Sequence, residues 1–203
     1  MIVKLLKKPI FSLYKLTIDP KNQQAFLAEG VNNLITSYQN ESGTLMMVAT
    51  HEDEAGSVNY IFEMYQDDAS YQIHAASPQF QHYAKLAQKV VQSKEIHKLS
   101  LERLHTSNQP LEIKGENPYF VRLLEVTVNH NNVKFLKNIS KNTVANLVSS
   151  VDSNHWVIID IFKDKSAMQE INVNQYLSQI STEYTIHELK VDTMVSQADL
   201  KLE

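Results

Sequence analysis

Apolar residues along the chain fall into short runs with two periods. Residues 11–18 (FSLYKLTI) put Phe11 and Leu13 on one face and Tyr14, Leu16 and Ile18 on the other, which predicts a strand covered on both sides. Asp19-Pro20 supplies an N-cap and a first-turn proline, and Leu27, Val31, Leu34, Ile35 and Tyr38 then recur at helical spacing. Glu41-Ser42-Gly43 closes that helix. Residues 44–50 and 59–65 read as a hairpin around the polar turn HEDEAGS, with Tyr60, Phe62 and Met64 alternating against Ile61, Glu63 and Tyr65. Asp67-Asp68 caps a short helix over 69–75 that carries His74, and Ser77-Pro78 opens a longer one with a stripe of Phe80, Tyr83, Ala84, Ala87, Val90 and Val91. A strand over 96–104 completes the order β-α-β-β-α-β, that of a ferredoxin-like plait with helices on one face of an antiparallel sheet.

The stretch 105–118 holds two prolines and a glycine with little apolar periodicity and reads as a linker. The pattern then restarts. Residues 15–18 are matched by 125–128, followed by Val133, Leu136 and Ile139 at helical spacing, and IHKLSLERL at 96–104 by IHELKVDTM at 186–194. EMYQDDASYQIH from Glu63 aligns with DIFKDKSAMQEI from Asp160, an offset of 160 − 63 = 97, which keeps a carboxylate but replaces His74 by Ile171. A repeat near a hundred residues indicates a duplicated domain. The expected fold class is α+β: two βαββαβ repeats, over 1–104 and 119–203, whose antiparallel sheets pack as a pseudo-dimer, so that helices cover one face of each strand and the sister sheet the other.

Composition narrows the chemistry. The 203 residues are 43% hydrophobic, enough for packed cores, and no apolar run reaches the roughly eighteen residues of a membrane span. The opening MIVKLLKKPIF is too short and too broken by lysines for a signal-peptide core, so a cytoplasmic location is expected. Cysteine is absent, which removes disulfides and thiolate chemistry. A net charge of −4 with scattered lysines argues against nucleic-acid binding, and the four glycines form no phosphate-binding loop. His74 and His82 straddle Pro78 at a spacing unsuited to one helical metal site, and no G-x-S-x-G elbow occurs, so neither metal nor hydrolase chemistry is expected.

The plait order, the E-x-Y-x-D-x-x-A-like run at Glu63 to Ala69, a histidine before an S-P-x-F helix start, and the closing strand together resemble the antibiotic biosynthesis monooxygenase (ABM) family. The resemblance covers about residues 10–104 well and 119–194 weakly. It implies a dimeric α/β barrel, here two protomers fused in tandem. It also implies oxygenation of a quinol or other small aromatic by dioxygen without a cofactor, in a pocket of the N-terminal half. On that basis the expected catalytic residues are His74 as base and Glu63, with Tyr14, Tyr60, Phe80, His82 and Tyr83 as substrate-binding residues. The chain would be a monomer with an internal pseudo-dimer, or a homodimer.

Blander readings stand beside these. A histidine at a helix junction often caps or packs, Tyr60 and Phe80 suit a core, and His97 and His187 share a face with core residues, where a structural hydrogen bond suffices. Glu63 and Asp160 recur in both copies and so suit an architectural role. A non-catalytic ligand-binding or stress-response module of the same fold is the alternative. Haem degradation, known in some relatives, is less favoured, because Tyr14, His74 and Ala84 stand where those relatives carry asparagine, tryptophan and histidine.

Overall fold

A computed structural model of the protein describes residues 3–202 apart from Leu6, Thr182 and the segments 129–132 and 137–141. After β1 (Val3–Lys4), the first repeat runs β2 (Ile10–Ile18), α1 (Gln23–Asn40), β3 (Thr44–His51), β4 (Val58–Tyr65), α2 (Asp68–Ala76), α3 (Pro78–Val90) and β5 (Val91–Thr106). Then come β6 (Leu111–Lys114) and the second repeat: β7 (Phe120–Thr127), α4 (Val133–Leu136), β8 (Ala145–Ser150), β9 (His155–Phe162), α5 (Lys165–Gln169), α6 (Val173–Leu177) and β10 (Glu183–Ser196), with β11 (Leu200–Leu202) last. The expected helix carrying Val133, Leu136 and Ile139 is described only over α4, and Ile139 lies outside the described residues.

The punctuation acts through hydrogen bonds. Asp19 accepts from the Lys21 backbone N–H and starts a 3-10 turn, Asp67 accepts from Ser70 N, and Ser77 accepts from Phe80 N with Pro78 at the first helical position. Gly56 takes φ +65° in the β3–β4 turn, a left-handed conformation that glycine adopts without strain. One boundary moves: α3 ends at Val90, and the strand expected from 96 begins at Val91, whose extended backbone pairs with Ile18.

Within each repeat the last strand lies beside the first, giving the orders β5-β2-β4-β3 and β10-β7-β9-β8. Antiparallel pairing of β3 with β10 and of β5 with β8 joins the two sheets at both edges, so eight strands close into a barrel. The sister sheets thus face each other across the interior and are also hydrogen-bonded edge to edge. Phe11, Leu13, Val48, Tyr60, Phe62 and Met64 of the first repeat meet Val121, Leu123, Ile159, Leu189, Val191 and Met194 of the second in one interior core. Each such side chain, fully buried, stabilises by about 1.5–3 kcal/mol over its exposed state. The opposite face of each sheet carries separate clusters: Leu16, Ile18, Phe26, Ile61 and Tyr83 in the first repeat, and Leu124, Val126, Ile158, Val173 and Leu177 in the second.

Short strands bind the repeats further. β6, within the segment expected to be a linker, pairs with β10 of the second repeat, while β11 pairs with β5 of the first. Each repeat's trailing segment therefore docks on the other repeat's long strand. Among the described residues no helix is long and apolar enough to cross a membrane.

The expected structural role of His187 takes the form of a strut between repeats. Its Nδ1 lies 2.6 Å from Glu52 Oε1 and 3.3 Å from the Tyr60 hydroxyl, both in the first repeat, and its Nε2 lies 3.9 Å from Glu125 Oε2. The neighbouring Glu125 carboxylate first, and Glu52 with it, raise the imidazole above its usual range against the opposing effect of burial, and the same pairing lowers Glu125. A raised folded-state value means stabilisation that is complete below the unfolded imidazole value near pH 6.5 and lost as pH rises through the folded one. We predict that wild type exceeds the His187→Gln variant by up to about 1 kcal/mol in mildly acidic solution, given that Glu52 and Glu125 are partly solvated. The advantage should fade toward alkaline pH, and also in strong acid as Glu125 protonates. Denaturant titrations across pH measure it.

Candidate active site

The outer face of the first sheet is not fully covered. Between it and α3 lies a cavity of about 400 Å³, with Tyr14 and Leu16 from β2, Ile61 and Glu63 from β4, and Val91, Lys94 and Ile96 from β5. The other wall is Tyr71 of α2 and Phe80, Tyr83, Ala84, Ala87 and Gln88 of α3. The strand period explains the first wall: Tyr14 sits between Ile61 and Ile96, and Ser12 beside Glu63, on the face opposite Phe11 and Leu13. The helix period explains the second, since Phe80, Tyr83, Ala84 and Ala87 form one stripe whose two alanines leave the space open.

Glu63 is the chemical centre of this cavity. The Tyr65 hydroxyl donates to it at 3.2 Å, and no ion pair to it occurs among the described residues. Burial pushes its carboxyl above the usual range, and nearby His74, Tyr65, Lys94 and Tyr14 only partly oppose the shift. Phenols surround it. Burial first and the Glu63 charge second push Tyr14, Tyr65 and Tyr83 far upward, so all three stay protonated and available as donors. Lys94 Nζ stands 5.3 Å from the Tyr14 ring centroid and gives this wall its positive charge.

The remaining expected site residues are placed elsewhere. His74 is fully buried but does not line the cavity. Its Nδ1 lies 3.1 Å from Glu41 Oε2 and 3.2 Å from Ser37 Oγ, and its ring packs 4.7 Å from Phe80 and 5.1 Å from Tyr65 between centroids. Burial pushes Glu41 up, but hydrogen bonds and charge from His74, with Thr44 and Ser37, outweigh this and leave it below the usual range. Glu41 is therefore ionised and Nδ1–H donates to it. Gln79 Nε2 adds a bond to Glu41 at 2.6 Å, so the histidine bolts α2 to the end of α1. Gly43 allows this approach, because a Cβ there would collide with the Ser70 side chain. His82 points away, its side chain 72% exposed and 3.6 Å from Glu29, because its place two residues after Phe80 turns it off the apolar stripe. Tyr60 shares the parity of Phe62 and Met64 and so faces the barrel interior, where it meets His187.

Tyr71 and Lys94 were not among the expected site residues. Tyr71 precedes His74 by three positions, a spacing that already puts it on the same helical face. Lys94 had no signal, since the strand that carries it begins earlier than its apolar pattern does.

In the second repeat the equivalent carboxylate is neutralised. Asp160 pairs in register with Asn146 and Arg122, as Glu63 does with Met47 and Ser12. Arg122 Nη2 lies 2.7 Å and Asn146 Nδ2 2.9 Å from its oxygens. Leu124 and Val126 stand where the first repeat has Tyr14 and Leu16, and Val173, Leu177 and Ile171 pack against their cluster.

Fold and site together define a tandem dimeric-α/β-barrel protein whose buried outer-face carboxylate borders a cavity in the first repeat and an ion pair in the second. Residues 9–86 match the family model described as antibiotic biosynthesis monooxygenase. Two similar solved structures, both provisionally named monooxygenases, cover both repeats. One, from Lactobacillus acidophilus NCFM, has TM-score 0.81 and 18% identity over 97% of this chain and 100% of its own. The other, from Fusobacterium nucleatum, has TM-score 0.84 and 15% identity over 98% and 99%. A provisionally named antibiotic biosynthesis monooxygenase from Bacteroides thetaiotaomicron is 30% identical over 43% of this chain and 84% of its own, with TM-score 0.42. No curated protein matches. The antibiotic biosynthesis monooxygenase match thus lies in the first repeat.

Two expectations follow from the contrast between the carboxylates. Arg122→Met should destabilise by about 3–5 kcal/mol, because it strands Asp160 unpaired, and the double variant with Asp160→Leu should recover most of the loss in denaturant titration. Glu63, with a raised folded-state value, has the opposite sign: its penalty is absent below the unfolded carboxyl value near pH 4.5 and grows as pH rises through the folded one. Glu63→Gln should therefore match wild type in acid and become the more stable protein at higher pH, measured by the same titration.

Proposed function

We propose that the N-terminal cavity binds a small hydroxylated aromatic, such as a quinol, and that the protein oxygenates it with dioxygen, Glu63 acting as the proton acceptor. The observation that carries this reading is a buried carboxyl of raised proton affinity, with no ion pair among the described residues, on the wall of a cavity of small-molecule size. Such a carboxyl titrates closer to neutrality than a free one and suits general-base work on a phenolic proton. Phe80, Leu16 and Ile61 hold the ring, and the Tyr14 hydroxyl donates to a substrate oxygen. Loss of the proton to Glu63 raises electron density on the ring carbon that dioxygen attacks. One oxygen atom is retained as a carbonyl, and the other leaves as water with two substrate hydrogens. In this reading His74 is a positioning residue that fixes α2, and through Phe80 the cavity wall.

The absence of His74 from the cavity wall favours a second reading, a module that holds an aromatic ligand without turnover. Oxygen uptake across a panel of hydroquinones separates the two. Glu63→Gln should lower turnover by about 10²–10⁴-fold while binding, followed by tyrosine fluorescence, changes little. Compounds that bind tightly but consume no oxygen would instead establish the binding module.

A further inference from the structure

Behind Glu63, on the side away from the cavity, lies a second and much smaller space. It is lined by Asn33 of α1, Thr50 of β3, Glu63 of β4 and Tyr83 of α3, and by Asp192 and Thr193 of β10 in the other repeat. The centre of a water molecule has about 10 Å³ in which to move there, close to what one bound water needs. Three buried polar groups on its wall have unpartnered atoms: both atoms of the Asn33 amide, which is 0% exposed, the Tyr83 hydroxyl and Asp192 Oδ2. An uncompensated buried polar group is unfavourable, so three around one space are a costly arrangement unless they share a partner. Their inventory suits water: Asn33 and Tyr83 offer donors, and Asp192 and Glu63 offer acceptors.

The place of Asp192 gives this space its direction. The register of β10 against β3 shifts between Val191 and Thr193, and the irregularity sets Asp192 at the wall of the chamber. Its other oxygen, Oδ1, lies 2.7 Å from His51 Nδ1, whose side chain is 17% exposed. Ile61, Glu63 and Tyr83 are common to both spaces, so they separate the large cavity from the chamber.

We propose that this chamber binds one ordered water that links Glu63 to Asp192 and His51, so that Asp192 of the second repeat completes the route by which Glu63 exchanges its proton when the cavity is filled. The inference rests on Glu63 as proton acceptor. One proton enters the Glu63 carboxylate from the bound phenol. It passes to the water as the water passes one to Asp192 Oδ2, and the protonated His51 imidazole, paired with Asp192 Oδ1, releases one to solvent. Asn33 and Asp192 are positioning residues in this scheme, since neither touches the bound phenol.

The test has two arms. A crystal structure of the full chain at a resolution that resolves ordered water should place one water within hydrogen-bond distance of Asn33, Tyr83, Asp192 and Glu63, and Asn33→Leu should expel it. Direct pairing of those side chains with no water between them would overturn the proposal. The second arm uses 4-nitrophenol as the probe, following ionisation of the bound phenol by absorbance after a pH jump. Asp192→Asn, which keeps shape and serves if Asn33→Leu fails to fold, should slow that ionisation at least about tenfold with binding affinity retained. Equal rates in wild type and variant would also overturn it. If 4-nitrophenol does not bind, the phenol-binding reading of the cavity fails, while the first arm still decides whether the water site exists.

Discussion

Every strand of the barrel is covered twice, and this double burial governs where polar side chains can stand. The interior face is closed by the sister sheet, and the outer face by helices, so a polar residue on either face must find a partner or border a space. Asp160 finds Arg122 and Asn146, and His187 finds carboxylates from both repeats. His74 finds Glu41 and Ser37. Glu63 finds phenols and the cavity but no ion pair among the described residues, and burial raises its proton affinity. Candidate chemistry here is the place where double burial is left unresolved.

The same constraint explains what could be read from sequence. Apolar side chains at both parities of residues 11–18 and 59–65 required two coverings, and duplication supplied the second, so the pseudo-dimer was legible from periodicity and the internal repeat together. Helix starts were legible too, because Asp67 and Ser77 act through their immediate neighbours. Edge pairing of β3 with β10 and β5 with β8 was not, since it links residues far apart in sequence that no local pattern relates. Face-to-face sheets and a closed barrel share one alternation of apolar residues.

Site roles were less legible for a related reason. Glu63 and His74 stood out as unusual residues in a patterned segment, but their roles depend on partners distant in sequence. Glu41 and Ser37 lie thirty-three and thirty-seven positions from His74, at the end of a helix read only for its apolar stripe. Retention of a carboxylate in both copies suggested a common structural role, yet the deciding difference is one strand away, where Ser12 is replaced by Arg122. A residue type recurs in a repeat; its protonation behaviour follows from its neighbours.

That difference bears on why a repeat with a filled outer face still matters. Alone, the first repeat would present β3 and β5 as open edges and expose Phe11, Leu13, Phe62 and Met64, which together call for a second sheet of matching register. Any sequence that supplies two edges and an apolar inner face meets that need, whatever covers its outer side. Filling the outer face with Leu124, Val126, Val173 and Leu177 and pairing Asp160 with Arg122 adds stability there and leaves the barrel intact. The inner and outer faces of one strand answer to different demands because successive side chains point opposite ways. One copy can therefore keep a cavity beside its carboxylate while the other pairs its carboxylate instead.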